Sequence, residues 1–235
     1  MIIATRHGHS FIEIENTAQD INILIDPFVT GNTKCDITLD QLKDKKVDYI
    51  IITHWHGDHI WDTVFLAKYH LDCKIITLSY IWKYLQSQWL ENTITWWSIW
   101  WSTTNQHFKV KFVTAIHDWT ILESWITTAP SGVVLHIWDK QIYHAWDTAL
   151  TYDMKLLWEF YKIDLAFVPI WDYYTMWVED AVIATSWISP KNVVPIHYNT
   201  WPVIKADEME FARSVMAWNK TSPKVLKPWQ SIILE

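Results

Sequence analysis

The sequence predicts a layered α/β domain in which strands and helices alternate along the chain. Strand-patterned runs are followed by helix-patterned runs in both halves. The run "VDYIIIT" (47–53) is continuously apolar, which is typical of a strand buried on both faces. The 235 residues suffice for one sizeable core, and no Pro/Ser-rich linker divides them. We therefore expect a single domain over residues 1–235, with two similar layers packed face to face.

The first half opens with strands and then alternates with helices. Its strand-patterned runs are bounded by turn residues, whereas its helix-patterned runs carry apolar residues three and four positions apart. The predicted strands are "IIATRHGHSFIEIE", "INILIDPF", "VDYIIIT" and "KIITL", and the predicted helices are "DTVFLAKYH" and "SYIWKYLQSQ".

The second half repeats this theme, and metal-type side chains recur at strand ends in both halves. The apolar runs are "FKVKFVTAIH", "GVVLHIWD", "KQIYHAWD", "DLAFVPI", "NVVPIHY" and "SIILE", and the helical runs are "MKLLWEFYK", "EDAVIATSWI" and "ADEMEFARSVMA". The polar residues at strand ends are His54, His117, Asp147 and His197.

Composition narrows the class of protein. The formal net charge is −7 and Lys/Arg residues form no long run, so the electrostatic signature of a nucleic-acid binder is missing. We expect a small-molecule substrate. The amino terminus does not resemble an export signal, Cys35 and Cys73 do not indicate a disulfide framework, and no apolar run approaches the ~20 residues of a membrane span. We therefore expect a cytoplasmic protein that binds neither nucleic acid nor membrane.

The strongest chemical signal is the motif H-x-H-x-D-H in "THWHGDHIWDT". His54, His56, Asp58 and His59 follow a buried strand directly, so one loop can turn all four toward a single point. Charged histidines this close would repel one another, and a cation relieves the repulsion. These ligand types suit zinc, manganese or iron(II). The isolated histidines are interpreted as ordinary surface or hydrogen-bonded residues: His70, His107 and His136.

With this motif, the sequence resembles the metallo-β-lactamase superfamily, and within it the metal-dependent hydrolases related to L-ascorbate-6-phosphate lactonases. The resemblance runs over nearly the whole chain. It is carried by "HGHS", "ILIDPF", "THWHGDHIWDT", "AIHD", "YHAWDT", "PIWDYYTM", "PIHYNT" and "LKPWQS". It implies a four-layered αββα sandwich with a metal site at one edge between the two sheets.

The resemblance also implies two divalent metal ions, zinc first and manganese or iron as alternatives. Carried over by position, the ligands of one ion are His54, His56 and His117, those of the second are Asp58, His59 and His197, and the bridging carboxylate is Asp147. A cysteine commonly stands in the second site of true β-lactamases, so the carboxylate here argues against an antibiotic-degrading role.

Paired metals predict hydrolysis by a metal-bridged hydroxide that attacks a carbonyl or phosphoryl centre, with Asp58 as the catalytic residue that orients it. The expected substrate is a small ester, lactone or phosphorylated metabolite. A diiron oxidoreductase of this fold would show H-x-E-x-D, and His56 stands where its glutamate would be. A single-iron persulfide dioxygenase remains an open alternative.

Four further residues are candidates for supporting the ligands or the substrate. Asp26 accepts an imidazole N–H in this interpretation, and a turn-forming role before Pro27 is the equal alternative. His7 and His9 of "HGHS" lie near the site by resemblance. For His144 of "YHAWDT", a core or supporting role is favoured over ligation.

Tryptophan is abnormally frequent: the chain has 19 Trp and 4 Gly, whereas Gly usually makes up roughly 7% of residues. Where the resembling family has glycine, this chain repeatedly has tryptophan, as at Trp55, Trp61, Trp146 and Trp171. An indole offers neither positive φ nor close backbone approach. One hypothesis is that UGA codons read as glycine in the cell have been written as tryptophan; UGG codons at these positions would refute it.

Three other functions stay open. The tryptophans taken literally, centred on "TWWSIWW" (95–101), form an aromatic surface for membrane or carbohydrate. A catalytically silent metal-binding protein, its site closed by Trp55, Trp61 and Trp146, is a second alternative. A nuclease or phosphodiesterase is the weakest, because the acidic charge opposes it. Association into a homo-oligomer is left open.

Overall fold

A computed structural model describes residues 1–117 and 130–235. These residues form two compact units, each built on its own seven-stranded sheet. The first unit contains Met1–Ser98 and Lys227–Glu235, and the second contains the described residues 99–117 and 130–226. The single domain expected over residues 1–235 stays a prediction. No helix among the described residues is long and apolar enough to cross a membrane.

The sheet of the first unit has an antiparallel half and a parallel half. Its strands are β1 (Ile2–Gly8), β2 (Phe11–Asn16), β3 (Ile21–Ile25), β4 (Tyr49–Ile51), β5 (Lys74–Leu78), β6 (Ile94–Trp97) and the C-terminal β14 (Ser231–Leu234). They lie in the order β14-β1-β2-β3-β4-β5-β6. Pairing is antiparallel from β14 to β3 and parallel from β3 to β6.

Four helices accompany this sheet: α1 (Leu39–Asp44), α2 (Gly57–Ile60), α3 (Thr63–Tyr69) and α4 (Ser79–Ser87). The start of α1 is fixed by a capping box, in which Thr38 and Gln41 each accept a hydrogen bond from the backbone N–H of the other. Leu42, Leu66 and Leu85 of these helices pack in one core with the strand residues Ile50 and Ile75. This core holds β4, and therefore the base of the loop that follows it.

The second unit has a sheet of the same kind. Its strands are β7 (Ser102–Thr104), β8 (Lys109–Thr114), β9 (Ser131–Ile137), β10 (Lys140–His144), β11 (Leu165–Pro169), β12 (Asn192–Ile196) and β13 (Ser222–Pro223). They lie in the order β13-β12-β11-β10-β9-β8-β7. Pairing is antiparallel from β7 to β10 and parallel from β10 to β13.

Three α-helices and one short 3₁₀ helix belong to this unit: α5 (Met154–Phe160), α6 (Val178–Ile188), α7 (Glu208–Trp218) and Pro202–Ile204. Asp207 caps α7, because its carboxylate accepts hydrogen bonds from the backbone N–H groups of Met209 and Glu210, both at 2.9 Å. The buried side chains of α6 and α7 join those of β10, β11 and β12 in one core.

The predicted strands and helices appear with small shifts of their bounds. The run "IIATRHGHSFIEIE" divides into β1 and β2, because the chain turns at His9 and Ser10. The short elements that were not predicted are α1, α2, β6, β7, β13 and the 3₁₀ helix. Each is brief. β6 overlaps the tryptophan-rich segment 95–101 and β7 follows it directly, and strand and turn signals conflict there.

Candidate metal centre

The H-x-H-x-D-H motif spans the loop after β4 and the start of α2. The buried β4 holds the start of this loop, and His56 stands at the N-cap of α2, so Asp58 and His59 belong to its single turn. The ring centroids of His54 and His56 lie 4.3 Å apart, and those of His54 and His59 also lie 4.3 Å apart. The loop therefore gathers its histidines at one point, as the spacing predicts.

Asp26 supports this cluster from the end of β3. Its Oδ2 lies 3.0 Å from Nδ1 of His59, and both side chains are fully buried. Thr53 donates from its backbone N–H to Oδ1 at 3.1 Å and from its hydroxyl to Oδ2. Because a carboxylate accepts, Nδ1 of His59 carries the proton and Nε2 keeps the lone pair that a metal requires. Thr53 was not predicted, since a hydroxyl beside a ligand leaves no distinctive sequence signal.

His9 also reaches the motif loop. Its Nε2 lies 3.0 Å from Oδ2 of Asp58, and Nε2 of His59 lies 3.8 Å from the same oxygen. Each of these three residues offers a potential ligand atom within 4.8 Å of the others. The first unit therefore brings three imidazoles of the motif, one carboxylate and a fourth imidazole together.

His7 lies in a different environment from His9. Its Nδ1 is 2.9 Å from Asp36 and its Nε2 is 2.8 Å from Glu13, so both ring nitrogens are engaged and neither is available to a metal ion. Strand alternation would put His7 and His9 on one face. However, β1 ends at Gly8, and His9 lies beyond it in a left-handed turn (φ 54°).

The pKa values of this network reflect its ion pairs. Burial alone would lower the pKa of His7, but hydrogen bonds with Asp36 and Glu13 raise it above its ordinary value. Burial alone would raise the pKa of Glu13, but hydrogen bonds from His7 and Lys45 lower it to about 2. His7 thus has a place in a buried ion-pair network of the first unit.

The second unit carries its own donors at three separate strand ends. His117 follows β8, Asp147 follows β10 and His197 follows β12. Nε2 of His117 lies 3.5 Å from Oδ2 of Asp147, and Nε2 of His197 lies 3.2 Å from Oδ1. All three side chains are buried. One carboxylate therefore faces two imidazoles, one through each oxygen.

Backbone and aromatic contacts orient these histidines. Nδ1 of His117 donates to the carbonyl oxygen of Tyr174 at 2.9 Å, which directs Nε2 toward Asp147. His197 adopts φ 57°, and the ring of Trp171 stacks on it at 5.1 Å with an interplanar angle of 12°. Tyr174 acts through its main chain, so no side-chain pattern could have predicted it.

The contacts of His144 and of the three isolated histidines lie elsewhere in the two units. His144, the last residue of β10, is fully buried against Phe167, with ring centroids 5.7 Å apart. Nε2 of His70 lies 3.1 Å from the carbonyl oxygen of Leu42. Burial and the nearby Lys109 lower the pKa of His136. The remaining isolated histidine, His107, lies 2.7 Å from Gln106.

The donor chemistry of both units fits a divalent cation. Buried imidazole nitrogens and carboxylate oxygens are the ligands of zinc, manganese and iron(II). Within the first unit, ligand atoms of His54 and His56 lie within 4.8 Å of each other, and the same holds for His117 and Asp147 within the second unit. Clustering histidines and carboxylates in buried positions is costly without a compensating charge, so a metal-binding role explains the arrangement.

Comparison with known proteins places this geometry in a family. Residues 21–198 match a family model described as a β-lactamase superfamily domain. A UPF0173 metal-dependent hydrolase of Bacillus cereus (strain G9842) is 42% identical over 242 residues, which cover 97% of this chain and 98% of the relative.

Solved structures agree. Igni18, a metallo hydrolase of the hyperthermophilic archaeon Ignicoccus hospitalis, is 30% identical with a TM-score of 0.90, covering 100% of this chain and 98% of that one. YhfI of Bacillus subtilis, a metallo-β-lactamase fold protein, is 12% identical with a TM-score of 0.79, covering 99% of this chain and 100% of that one, and shows the fold alone. The predicted fold class is confirmed. The chain belongs to the β-lactamase superfamily and, within it, to the UPF0173 metal-dependent hydrolases.

Proposed function

We propose that the protein is a dinuclear metal-dependent hydrolase that acts on a small ester, lactone or phosphorylated metabolite. The observation that carries this proposal is the presence of buried histidine and carboxylate donors at strand ends in both units. Membership in a family of metal-dependent hydrolases supports the reaction class. The substrate class is inferred from the small, acidic character of the chain and from the resemblance to lactonases.

The proposed ligand assignment follows the family resemblance residue by residue. The proposed ligands are His54, His56 and His117 for one ion, Asp58, His59 and His197 for the other, and Asp147 for both. Zinc is the first choice, because imidazole-rich sites with carboxylates suit it; manganese and iron(II) accept the same donors. The proton that His59 donates to Asp26 supports its role, since it fixes the tautomer a ligand needs.

The chain's own groups then position the reactants. The proposed ligands would hold divalent ions, which would supply a water molecule of lowered pKa and polarise a carbonyl or phosphoryl oxygen. Asp58 accepts a hydrogen bond from the attacking water and orients it. His9 holds Oδ2 of Asp58 and so limits the rotation of this carboxylate. A serine or cysteine nucleophile is not required, and we propose that the reaction takes place in the cytoplasm.

The proposal is tested with lactone, carboxylic-ester and phosphodiester probes. We expect turnover of at least one probe, abolished by chelation and restored by Zn²⁺ or Mn²⁺. Asp147→Ala is expected to lose the activity, while Asp139→Ala, an exposed carboxylate in the hairpin between β9 and β10, keeps it. Turnover that survives in metal-free protein, or equal loss in both variants, would sink the proposal.

A catalytically silent metal-binding protein is the second candidate, because two tryptophans crowd the donors of the second unit. Trp171 stacks on His197, and the fully buried Trp146 precedes Asp147 directly. This candidate predicts stoichiometric metal without turnover of any probe. Turnover of a probe by the Trp171→Gly variant would contradict this candidate and support the hydrolase.

The aromatic docking surface receives less support. Trp96 is 43% exposed and Trp101 is 62% exposed, but Trp100 packs against the core of the second unit and donates its indole N–H to Thr114 at 3.0 Å. Because the Trp100 side chain packs against this core, it cannot form the centre of a docking surface.

A further inference from the structure

His9 combines an unusual backbone with a specific contact. It lies in the turn between β1 and β2, is fully buried and adopts φ 54°. Gly8 before it has φ 103°, and a Cβ there would lie 2.7 Å from the carbonyl oxygen of Lys34. The turn therefore needs glycine at position 8, and it leads a non-glycine residue into a conformation that side chains rarely adopt. Such conformations cluster at functional sites.

The side chain of His9 uses this backbone to reach Asp58. Its Nε2 lies 3.0 Å from Oδ2, and its ring packs edge-on against Phe28 with centroids 5.5 Å apart. Because a carboxylate accepts, Nε2 donates its proton. An imidazole that donates through Nε2 cannot ligate a metal through the same nitrogen, whereas a carboxylate that accepts one hydrogen bond can still ligate a cation.

We propose that His9 is a positioning residue, which fixes the carboxylate of Asp58 so that it can bind the second metal ion. This inference rests on the proposed function, because it assigns Asp58 to that ion. Hydrogen-bonded partners of metal ligands commonly contribute about 10–100-fold in metal affinity. We expect His9 to contribute in this range and to be replaceable by another donor of the same reach.

The test compares His9→Asn with His9→Gln in Zn²⁺ and Co²⁺ titrations of the full chain without substrate. Asn tolerates positive φ but its amide is too short to reach Asp58, whereas Gln carries an N–H donor near the position of Nε2. We expect His9→Asn to weaken the second metal about 10–100-fold and His9→Gln to keep affinity within a few-fold. Melting of both metal-free variants checks that they fold.

Two results would overturn the assignment. Unchanged affinity in a folded His9→Asn would show that the contact does not position Asp58. Equal weakening in both variants would show that imidazole itself is needed, as for a direct ligand. Neither readout depends on turnover, so wild-type chain that binds two ions but hydrolyses no probe would refute the proposed function while leaving this test intact.

A separate observation concerns the tryptophans. Of the 19 in the chain, Trp119 and Trp125 lie outside the described residues. Positive φ occurs in only a few per cent of non-glycine residues, chiefly Asn, Asp and His, and is a genuine outlier for a bulky side chain. Five described tryptophans nevertheless have positive φ: Trp89 (57°), Trp100 (66°), Trp138 (56°), Trp146 (74°) and Trp229 (72°).

Trp229 occupies a turn position that calls for glycine. The backbone N–H of Gln230 donates to the carbonyl oxygen of Lys227 at 3.0 Å, which closes a four-residue turn. Pro228 is its second residue and Trp229, with φ 72°, is its third. Proline followed by a residue with positive φ defines a type II turn, whose third position favours glycine.

Two more positions carry independent glycine signals. Trp138 is the first residue of the two-residue hairpin loop between β9 and β10, where tight turns with positive φ favour glycine. Trp89 follows Gln88, the C-cap of α4, and is 90% exposed with φ 57°. A left-handed residue directly after a helix is usually glycine. Three unrelated turn types therefore favour glycine at positions that tryptophan occupies.

We infer that the chain made in the cell carries glycine at positions 89, 100, 138, 146 and 229. The proposed cause is that the cell reads UGA codons at these positions as glycine, whereas the sequence translates them as tryptophan. The shortage of glycine supports this: 4 are present, against roughly 7% in average proteins. At position 146 the change would also remove a buried indole beside Asp147.

The deciding experiment is peptide sequencing by mass spectrometry on the protein isolated from its natural host. Glycine at positions 138 and 229 is the expected result, and tryptophan there would overturn the inference. A second measurement uses recombinant chain: Trp138→Gly and Trp229→Gly should raise the melting temperature, whereas Trp158→Gly, inside α5, should lower it because glycine disfavours helix. Lower melting temperatures for all three variants would contradict the assignment of glycine turns.

Discussion

The two units present the same ligand chemistry in two different ways. In the first unit, four donors come from one loop of six residues, with Asp26 and Thr53 as buried support. In the second unit, His117, Asp147 and His197 come from three strand ends far apart in the sequence. A contiguous loop can be recognised by spacing alone, whereas a dispersed set exists only once the sheet has formed.

The difference also concerns how ligands are oriented. In the first unit a buried carboxylate fixes the tautomer of His59, while in the second a main-chain carbonyl does so for His117. The former can be altered by mutation and the latter cannot. Mutations of ligands should therefore have the largest effects, mutations of the residues that orient them smaller effects, and mutations of residues away from the site the smallest.

The largest effect is expected from removing one ligand in either unit. His54→Ala and His117→Ala should each lower hydrolysis about 10²–10³-fold, because each weakens the electrostatic stabilisation supplied at the site. Matched kcat/KM measurements on a responsive probe test this. If only one of the two variants lost activity, the histidine replaced in the other variant would not be a metal ligand.

A smaller effect is expected at Asp26. Asp26→Ala should weaken metal binding about 10–100-fold, since His59 loses the partner that sets its tautomer. Asp26→Asn is the matched control, because Asn tolerates the observed φ of 48° and keeps an acceptor oxygen. Metal titration should rank wild type, Asn and Ala in that order. Equal affinities for all three would leave Asp26 with a purely structural role.

The ion pairs of Glu13 are expected to affect stability instead of metal binding. The pKa of Glu13 falls from its ordinary value of 4.5 to about 2, so its contribution is present above pH 4.5 and is lost as the pH falls toward 2. Glu13→Gln should therefore cost about 3 kcal/mol in free energy of unfolding at neutral pH and much less at pH 3.

The pKa of His7 is raised, so its contribution is present below pH 6.5 and is lost as the pH rises through the folded-state value. Urea unfolding at a series of pH values measures both changes. Glu15→Gln, on the same strand, serves as the control. A loss for Glu13→Gln that did not depend on pH would contradict the ion-pair interpretation.

The smallest effect is expected at His136, which lies within β9 and away from the strand ends that carry donors. His136→Gln should leave metal content unchanged and stability within about 0.5 kcal/mol. Elemental analysis together with thermal melting checks this. A loss of metal in this variant would mean that the second unit uses donors other than those at its strand ends.

Much of the fold could be predicted from the sequence, because the spacing of apolar residues indicates which faces of a strand or helix are buried. The buried apolar strands β3, β4 and β11 and the helices α6 and α7 were predicted for this reason. The helix α1 and the short strands β6 and β7 were missed, since a few residues carry too little pattern. The turn between β1 and β2 was missed because it depends on the left-handed conformation of His9.

The candidate site was predictable in part. The motif loop follows from spacing. His117, Asp147 and His197 were noted at predicted strand ends, but their assignment as metal ligands came from the family resemblance. The separation of His7 from His9 could not be predicted, because it depends on where β1 ends. Thr53 and the carbonyl of Tyr174 leave no signal in the sequence, although both orient proposed ligands or their partners.

The most direct test of the proposed metal pair is the metal content of purified, folded chain measured by elemental mass spectrometry. We predict about two divalent ions per chain in the wild type. Asp147→Ala should retain about one or none, and Asp139→Ala should match the wild type. Folded wild-type chain without bound metal, or full metal content in Asp147→Ala, would contradict the proposed metal pair.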